Sequence, residues 1–246
     1  DSILGAGVSI ARRLDHYEPR PQQLAMARKV AEALNSSQHL IAEAGTGTGK
    51  SFAYLIPAIL HATENETRAD SADDPEEARG KRVLISTHTI SLQEQLIAKD
   101  VPLLNSVIPR EFSVVLVKGR SNNLSLRRMN RAISRMTSLF ATDAQLSQMQ
   151  VIKKWSANSS DGSLSSLPVR PDSTVWDEVA SDTGNCLRRA CPHYKDCFYF
   201  RARRRAKHAQ LMIVNHAMLF SDLALRAQGI ALLPDYDAVI LDECHT

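Results

Sequence analysis

The sequence predicts an α/β protein: a parallel sheet with helices on both faces, interrupted by a small, mostly helical, cysteine-bearing insert. Three observations predict it. Short, nearly continuous apolar runs alternate with longer helix-forming segments, the pattern of strands buried on both faces and joined by crossover helices. A glycine-rich turn, "AGTGTGKS" at 44–51, follows one apolar run and opens a helical segment, while another apolar run near the far end closes in acids, "AVILDECH" at 238–245. The alternation stops after Lys118 and resumes at Leu211, an interval long enough to be a subdomain set between two strands.

Taken in order, Gln22–Asn35 mixes Ala, Leu and charged residues and is expected as the first helix. "HLIAEA" (39–44) is apolar and bounded by a glycine turn, so a strand is expected there. Lys50–Ala62 is the next helix, then an acidic stretch over 64–80, then a strand at "RVLIST" (82–87). Ile90–Ala98 reads as a helix and "SVVLVK" (113–118) as a strand. Leu124–Met136 opens the insert with a helix, and "SANSSDGSLSS" (156–166) has loop composition. "LMIVN" (211–215) and "AVILD" (238–242) complete the strands. The expected division is 1–118 and 209–246 as two parts of one domain, with 119–208 as the insert.

The chain has 246 residues and a formal charge of +3, too small a surplus to argue from, although Cys186 to His208 is crowded with Arg and Lys. "FAYLIPAIL" is about half of the ~20 apolar residues that a membrane helix needs. Nothing resembles a secretory leader, so a cytoplasmic location is expected. Asp1 at the start, and an end directly after a strand-like run, suggest a piece of a longer protein. Four cysteines in such a chain are expected as reduced thiols or ligands.

The turn at 44–51 has the spacing of a phosphate-binding loop. Glycines let successive backbone N–H groups converge on phosphate oxygens, and the helix from Lys50 aims its positive end at the same anion. Ala44, Gly45, Thr46, Gly47, Thr48 and Gly49 form the cradle, Lys50 reaches the terminal phosphates and the Ser51 hydroxyl ligates magnesium. Ala44 stands where the strict pattern has glycine, which removes no phosphate donor. The partner is "AVILDECH": a strand ending in acids places them at the carboxyl edge of a parallel sheet, where ligands bind. Asp242 is expected to hold the magnesium through its water shell, and Glu243 to orient and deprotonate the attacking water.

"EAGTGTGKS" with "DECH" resembles the superfamily 2 helicases. "YEPRPQQ" (17–23), "STHTISLQEQL" (86–96), "KGRSN" (118–122), "CPHYKDCFYFRARRR" (191–205) and "IVNHAMLFSDLAL" (213–225) resemble the DinG branch of the XPD-like iron–sulfur helicases, over nearly the whole chain and in family order. That resemblance implies a first RecA-like motor domain using ATP and Mg2+ to move along single-stranded or forked DNA, 5′ to 3′, in repair or replication. It implies that Arg20 and Gln23 read the adenine, and that His245 couples nucleotide state to DNA. It also implies that Thr87, Thr89 and Gln93 form one strand contact, with Asn215 and His216 a second.

Cys186, Cys191 and Cys197 are close enough in sequence to grip iron or zinc. The resembling family uses four cysteines, the first in a string like "GRSNYLCLRR". This chain reads "GRSNNLSLRR", which puts Ser125 at that position. Three outcomes stay open: an iron–sulfur cluster with a different or open fourth site, a zinc site completed by His193, or no metal. Around the cysteines, Arg and Lys interleave with Phe198, Tyr199 and Phe200, and Arg120, Arg127, Arg128 and Arg131 add charge suited to a phosphate backbone.

The expected function is therefore an ATP-dependent DNA helicase. An ATPase switch or nuclease-associated regulator without unwinding, and a metal- or redox-sensing DNA-binding module, are the alternatives. Because the chain ends before a second motor domain and its arginine finger, this fragment alone is expected to bind ATP weakly and hydrolyse it poorly.

Overall fold

A computed structural model of the chain describes residues 3–4, 10, 18–45, 47–64 and 80–245. Thr46 of the glycine turn, Tyr17 and the acidic stretch over 65–79 lie outside the described residues. The chain forms two compact units, one from residues 1–116 with 208–246 and the other from 117–207.

In the first unit, α1 (Pro21–Ser36) starts on a proline, whose fixed φ suits a first helical turn, and stops where Ser37 turns left-handed. The second helix, α2 (Lys50–Ala62), has the bounds the sequence predicts. β1 (Val83–Thr87) leads to α3 (Ile90–Gln95), capped by the Thr89 side chain. A single helix was expected over 90–98. Instead α3 passes into a π turn (Leu96–Asp100) and then α4 (Val101–Val107). Pro102 has no N–H to offer the Ala98 carbonyl, and this gap in the α pattern allows the wider turn. β2 (Val114–Leu116) follows.

The second unit holds α5 (Leu126–Ser134), α6 (Met136–Leu139), α7 (Asp143–Asn158), α8 (Ser173–Val179) and most of α9 (Phe198–His208). It has a core of its own, in which Leu124, Met149, Ile152, Val175, Trp176 and Phe198 pack together. The chain then returns to the first unit as β3 (Leu211–Asn215), α10 (His216–Arg226) and β4 (Ala238–Leu241).

The sheet runs β2-β3-β1-β4, every pair parallel. Its register is what positions the site. Thr87 stands opposite Asn215, and Ser86 opposite Leu241, so β1, β3 and β4 end level at one carboxyl edge. Side chains alternate between faces. Val83, Ile85, Leu211 and Ile213 join Leu55 and Ile59 of α2 in the main core. Leu84, Met212 and Val214, on the opposite row, are also buried. That face is held to α10 through Ser86 Oγ, 2.7 Å from His216 Nδ1. Farther along α10, buried Asp222 accepts the N–H groups of Leu232 (2.7 Å) and Leu233 (2.8 Å) and Nε of Arg226 (2.7 Å). These bonds fix the return into β4.

One expected strand does not form. Residues 39–44 are not in the sheet, and Ile41 is 97 % exposed. The run has strand composition, but a strand exists through ladder bonds to a neighbour, and composition does not supply the neighbour. This contrast can be measured. Ile85→Ala, at a fully buried position, is expected to cost about 2–5 kcal/mol. Ile41→Ala is expected to stay within about 0.5 kcal/mol of the parent in chemical denaturation.

Candidate functional site

The site assembles at the carboxyl edge of the sheet. Gly47 and Gly49 both adopt positive φ, 77° and 80°, which turns the backbone between the exposed segment and α2. The Thr48 hydroxyl donates to the Gly45 carbonyl at 2.9 Å and braces the curl. A side chain at Gly49 is excluded twice, by its φ and by Gln23, whose Nε2 would lie 2.0 Å from an added Cβ. Gln23 is 4 % exposed and donates Nε2 to the Gly49 carbonyl at 3.0 Å. Arg20 Nη1 would stand 4.0 Å from a Cβ on Gly47. The start of α1 thus backs the phosphate loop, bringing Arg20 and Gln23 beside it.

Across the edge, Lys50 Nζ donates to Glu243 Oε1 at 2.9 Å, a pair separated by 193 residues in sequence. Tyr54, one turn into α2, donates its hydroxyl to Asp242 Oδ2 at 2.9 Å. The acids are therefore brought against the loop that precedes them by most of the chain. The Lys50 ammonium holds the Glu243 carboxyl below its ordinary value. Burial, then the Asp242 carboxylate, pushes the Tyr54 phenol well above its ordinary range. Glu243 has φ of 57°, unusual for a residue with a side chain, and such strain collects at functional positions. His245 is exposed, with Nε2 3.5 Å from Glu243 Oε2.

Sequence reasoning missed Tyr54 and Asp100. Asp100, on the π turn, is 8 % exposed, and its Oδ2 is buried with no hydrogen-bond partner. Burial pushes its carboxyl up, an effect partly offset by the Ser51 hydroxyl and the Gln95 amide. Asp100 thus lies beside Ser51, and Asp242 beside Tyr54 one turn farther into α2. The π turn was the available signal, through Pro102 after a helical run. Tyr54 carries no signal of its own in the sequence.

The remaining predicted residues fall into two groups. Asn215 Oδ1 accepts the Met218 N–H at 2.8 Å and caps α10, and Thr89 Oγ1 accepts the Leu92 N–H at 3.2 Å and caps α3. Thr87 and Gln93 are buried, and His216 is bonded to Ser86, with Nε2 buried and unpartnered. Thr87, Asn215 and Asp242 nonetheless share one sheet edge through the strand register. In the second unit, the Arg120 guanidinium lies 3.9 Å above the Tyr199 ring and donates to the Asp182 carbonyl at 3.3 Å.

Also in the second unit, Cys186, Cys191 and Cys197 line a cavity of about 30 Å3 together with Ser125. Burial pushes the Cys186 thiol up, but the Arg120 guanidinium and the Arg188 N–H outweigh it and hold the thiol below its ordinary value. The Ser125 hydroxyl accepts the Arg128 N–H as the cap of α5. His193 Nε2 sits 3.3 Å from Asn130 Nδ2 and is not among the residues lining the cavity. Among the described residues, no three Cys, His, Asp or Glu side chains form a metal-holding group. The donor set does not fit a four-thiolate iron–sulfur cluster. No helix of the described residues is long and apolar enough to cross a membrane.

Comparison with known proteins gives a family match. A family model described as DEAD/DEAH box helicase matches residues 22–181. The ATP-dependent DNA helicase YoaA of Escherichia coli (strain K12) is 36 % identical over 241 residues, 96 % of this chain and 34 % of the relative. The ATP-dependent DNA helicase DinG of Photobacterium profundum is 30 % identical, with 96 % and 34 % covered. A Bacillus subtilis relative named 3'-5' exonuclease DinG is 29 % identical, covering 96 % of this chain and 23 % of its own length. The chain thus spans about a third or less of these relatives.

Two outcomes test the geometry. Gly49→Ala is expected to destabilise the protein by about 1–3 kcal/mol in urea unfolding, because a side chain is strained at that φ and Gln23 must move. Glu243 contributes stability above its ordinary value of 4.5 that fades as pH falls through its lowered one. Glu243→Gln is therefore expected to be less sensitive to acid than the parent below pH 4.5 when unfolding midpoints are compared across pH.

Proposed function

Since this chain belongs to the DEAD/DEAH box helicase family, we propose that it forms the first motor domain of an ATP-dependent DNA helicase of the DinG and YoaA kind. In this reading the second unit (117–207) is the insert of that domain. One observation supports it above the rest: Lys50 meets Glu243, and Tyr54 meets Asp242, each at 2.9 Å, so a phosphate loop and an acidic strand end share one edge.

ATP enters with its phosphates on the N–H groups of residues 45–49, at the positive end of α2. Arg20 and Gln23, already against the loop, meet the adenine. Ser51 and Asp242 would hold magnesium, which would supply positive charge to the phosphates. Tyr54 keeps Asp242 in place by donating to one of its carboxylate oxygens. The terminal phosphate carries more charge than a carboxylate, and so draws the Lys50 ammonium off Glu243. Released Glu243 accepts a proton from the attacking water. Before nucleotide arrives, the Lys50–Glu243 pair keeps both groups occupied.

The DNA strand runs over the same sheet edge. Thr89 is exposed there. Thr87, Gln93, Asn215 and His216 lie at the same strand ends and helix starts and are the further strand contacts in this reading. Arg120, in the second unit, offers a cation suited to a phosphate. Movement along single-stranded or forked DNA, 5′ to 3′, in repair or replication and in the cytoplasm, completes the proposal.

The test uses the full-length protein. Lys50→Ala is expected to abolish DNA-stimulated ATP hydrolysis and unwinding together. Glu243→Gln is expected to keep ATP binding while hydrolysis falls about 10²–10⁴-fold. Hydrolysis without unwinding on any DNA substrate would favour a switch or nuclease-associated regulator.

A further inference from the structure

We infer that the second unit of this chain is a metal-free domain, in which Ser125 has exchanged a ligand position for a helix cap. Protein contacts do the fastening there that a cluster would do among four thiolates.

The donor set argues first. Iron–sulfur clusters are gripped by soft thiolates, and a serine hydroxyl is a harder and poorer ligand. This hydroxyl is also engaged: Ser125 Oγ accepts the Arg128 N–H at 3.4 Å and caps α5. The backbone holds it in that role, because Ser125 N donates to the Val179 carbonyl and Leu124 N to the Gly162 carbonyl, each at 2.8 Å. Turning the side chain toward the cysteines would forfeit the cap, worth about 1 kcal/mol. The nearby histidine does not replace it, since His193 faces Asn130. Ser125 lines the same cavity as the three thiols and supplies an oxygen there where a fourth thiolate would be needed.

The fastening argues second. Arg128 donates to the Ala180 carbonyl at 2.7 Å and to the Asp177 carbonyl at 2.6 Å, joining α5 to the end of α8. Trp176 Nε1 donates to the Ser121 carbonyl at 2.8 Å. Arg120, stacked on Tyr199, ties the entry of the unit to α9. Gly162 lies so close to Phe198 that an added Cβ would stand 2.2 Å from the ring. These contacts close the unit around its own apolar core, and Cys186 joins them through Arg120 as a hydrogen-bond acceptor.

The test is elemental analysis of full-length protein purified without oxygen, for iron, zinc and acid-labile sulfide. It needs neither ATP nor DNA, so it stands or falls apart from the helicase reading. Metal far below one atom per chain is expected, with no visible absorption band. Chelator should leave the thermal unfolding midpoint unchanged, and Cys186, Cys191 and Cys197 should be alkylated in the native protein. Near-stoichiometric iron with sulfide, near-stoichiometric zinc, or a midpoint lowered by chelator would overturn the inference. Ser125→Cys, treated with iron and sulfide, is expected to gain a cluster absorption that the parent does not. Equal uptake by both, or by neither, would remove Ser125 as the deciding residue.

Discussion

The site depends on the parallel register that ends β1, β3 and β4 at one level. Asp242 and Glu243 follow β4 directly, so their position is set by the pairing of Ser86 with Leu241, one strand away. The phosphate loop reaches the same edge by another route, because α2 packs its apolar face on the sheet and begins at Lys50. Two short hydrogen bonds then join parts of the chain 193 and 188 residues apart. Neither bond is strong by itself. They form because a fully buried core has already fixed both backbones, and they report that register.

Unfavourable features gather where this edge is built. Glu243 has positive φ, Asp100 keeps a buried oxygen unsatisfied, and the helix after β1 is forced into a π turn. Each costs stability that the sheet core offsets. All lie within or beside the acids and the start of α2. A site that must receive a cation and a polyanion is expected to be incomplete without them, and incompleteness in a packed protein takes this form.

Much of this was legible in the sequence, for identifiable reasons. α2 has its predicted bounds because Gly49 and the apolar spacing through Ala62 are local signals. The strands at 83–87 and 211–215 could be read because burial on both faces leaves continuous apolar runs, and the one at 238–241 because its residues are all apolar, although Val239 and Leu241 are exposed. The run at 39–44 carries the same composition and forms no strand, since pairing is not a local property. Tyr54 and the Ser86–His216 bond were invisible because each gains its meaning from a residue far along the chain. Ser125 was visible as a departure from a cysteine pattern, but its work as a cap needed the backbone around it.

The central claim is that Lys50 and Glu243 act on one nucleotide in one site. A double-mutant cycle on the full-length protein, with Lys50→Ala, Glu243→Gln and both together, tests it most directly through the rate of ATP hydrolysis. Groups that act as a unit give non-additive losses. The account predicts that the double variant is no slower than the slower single variant. Losses that multiply, as for independent sites, would contradict it.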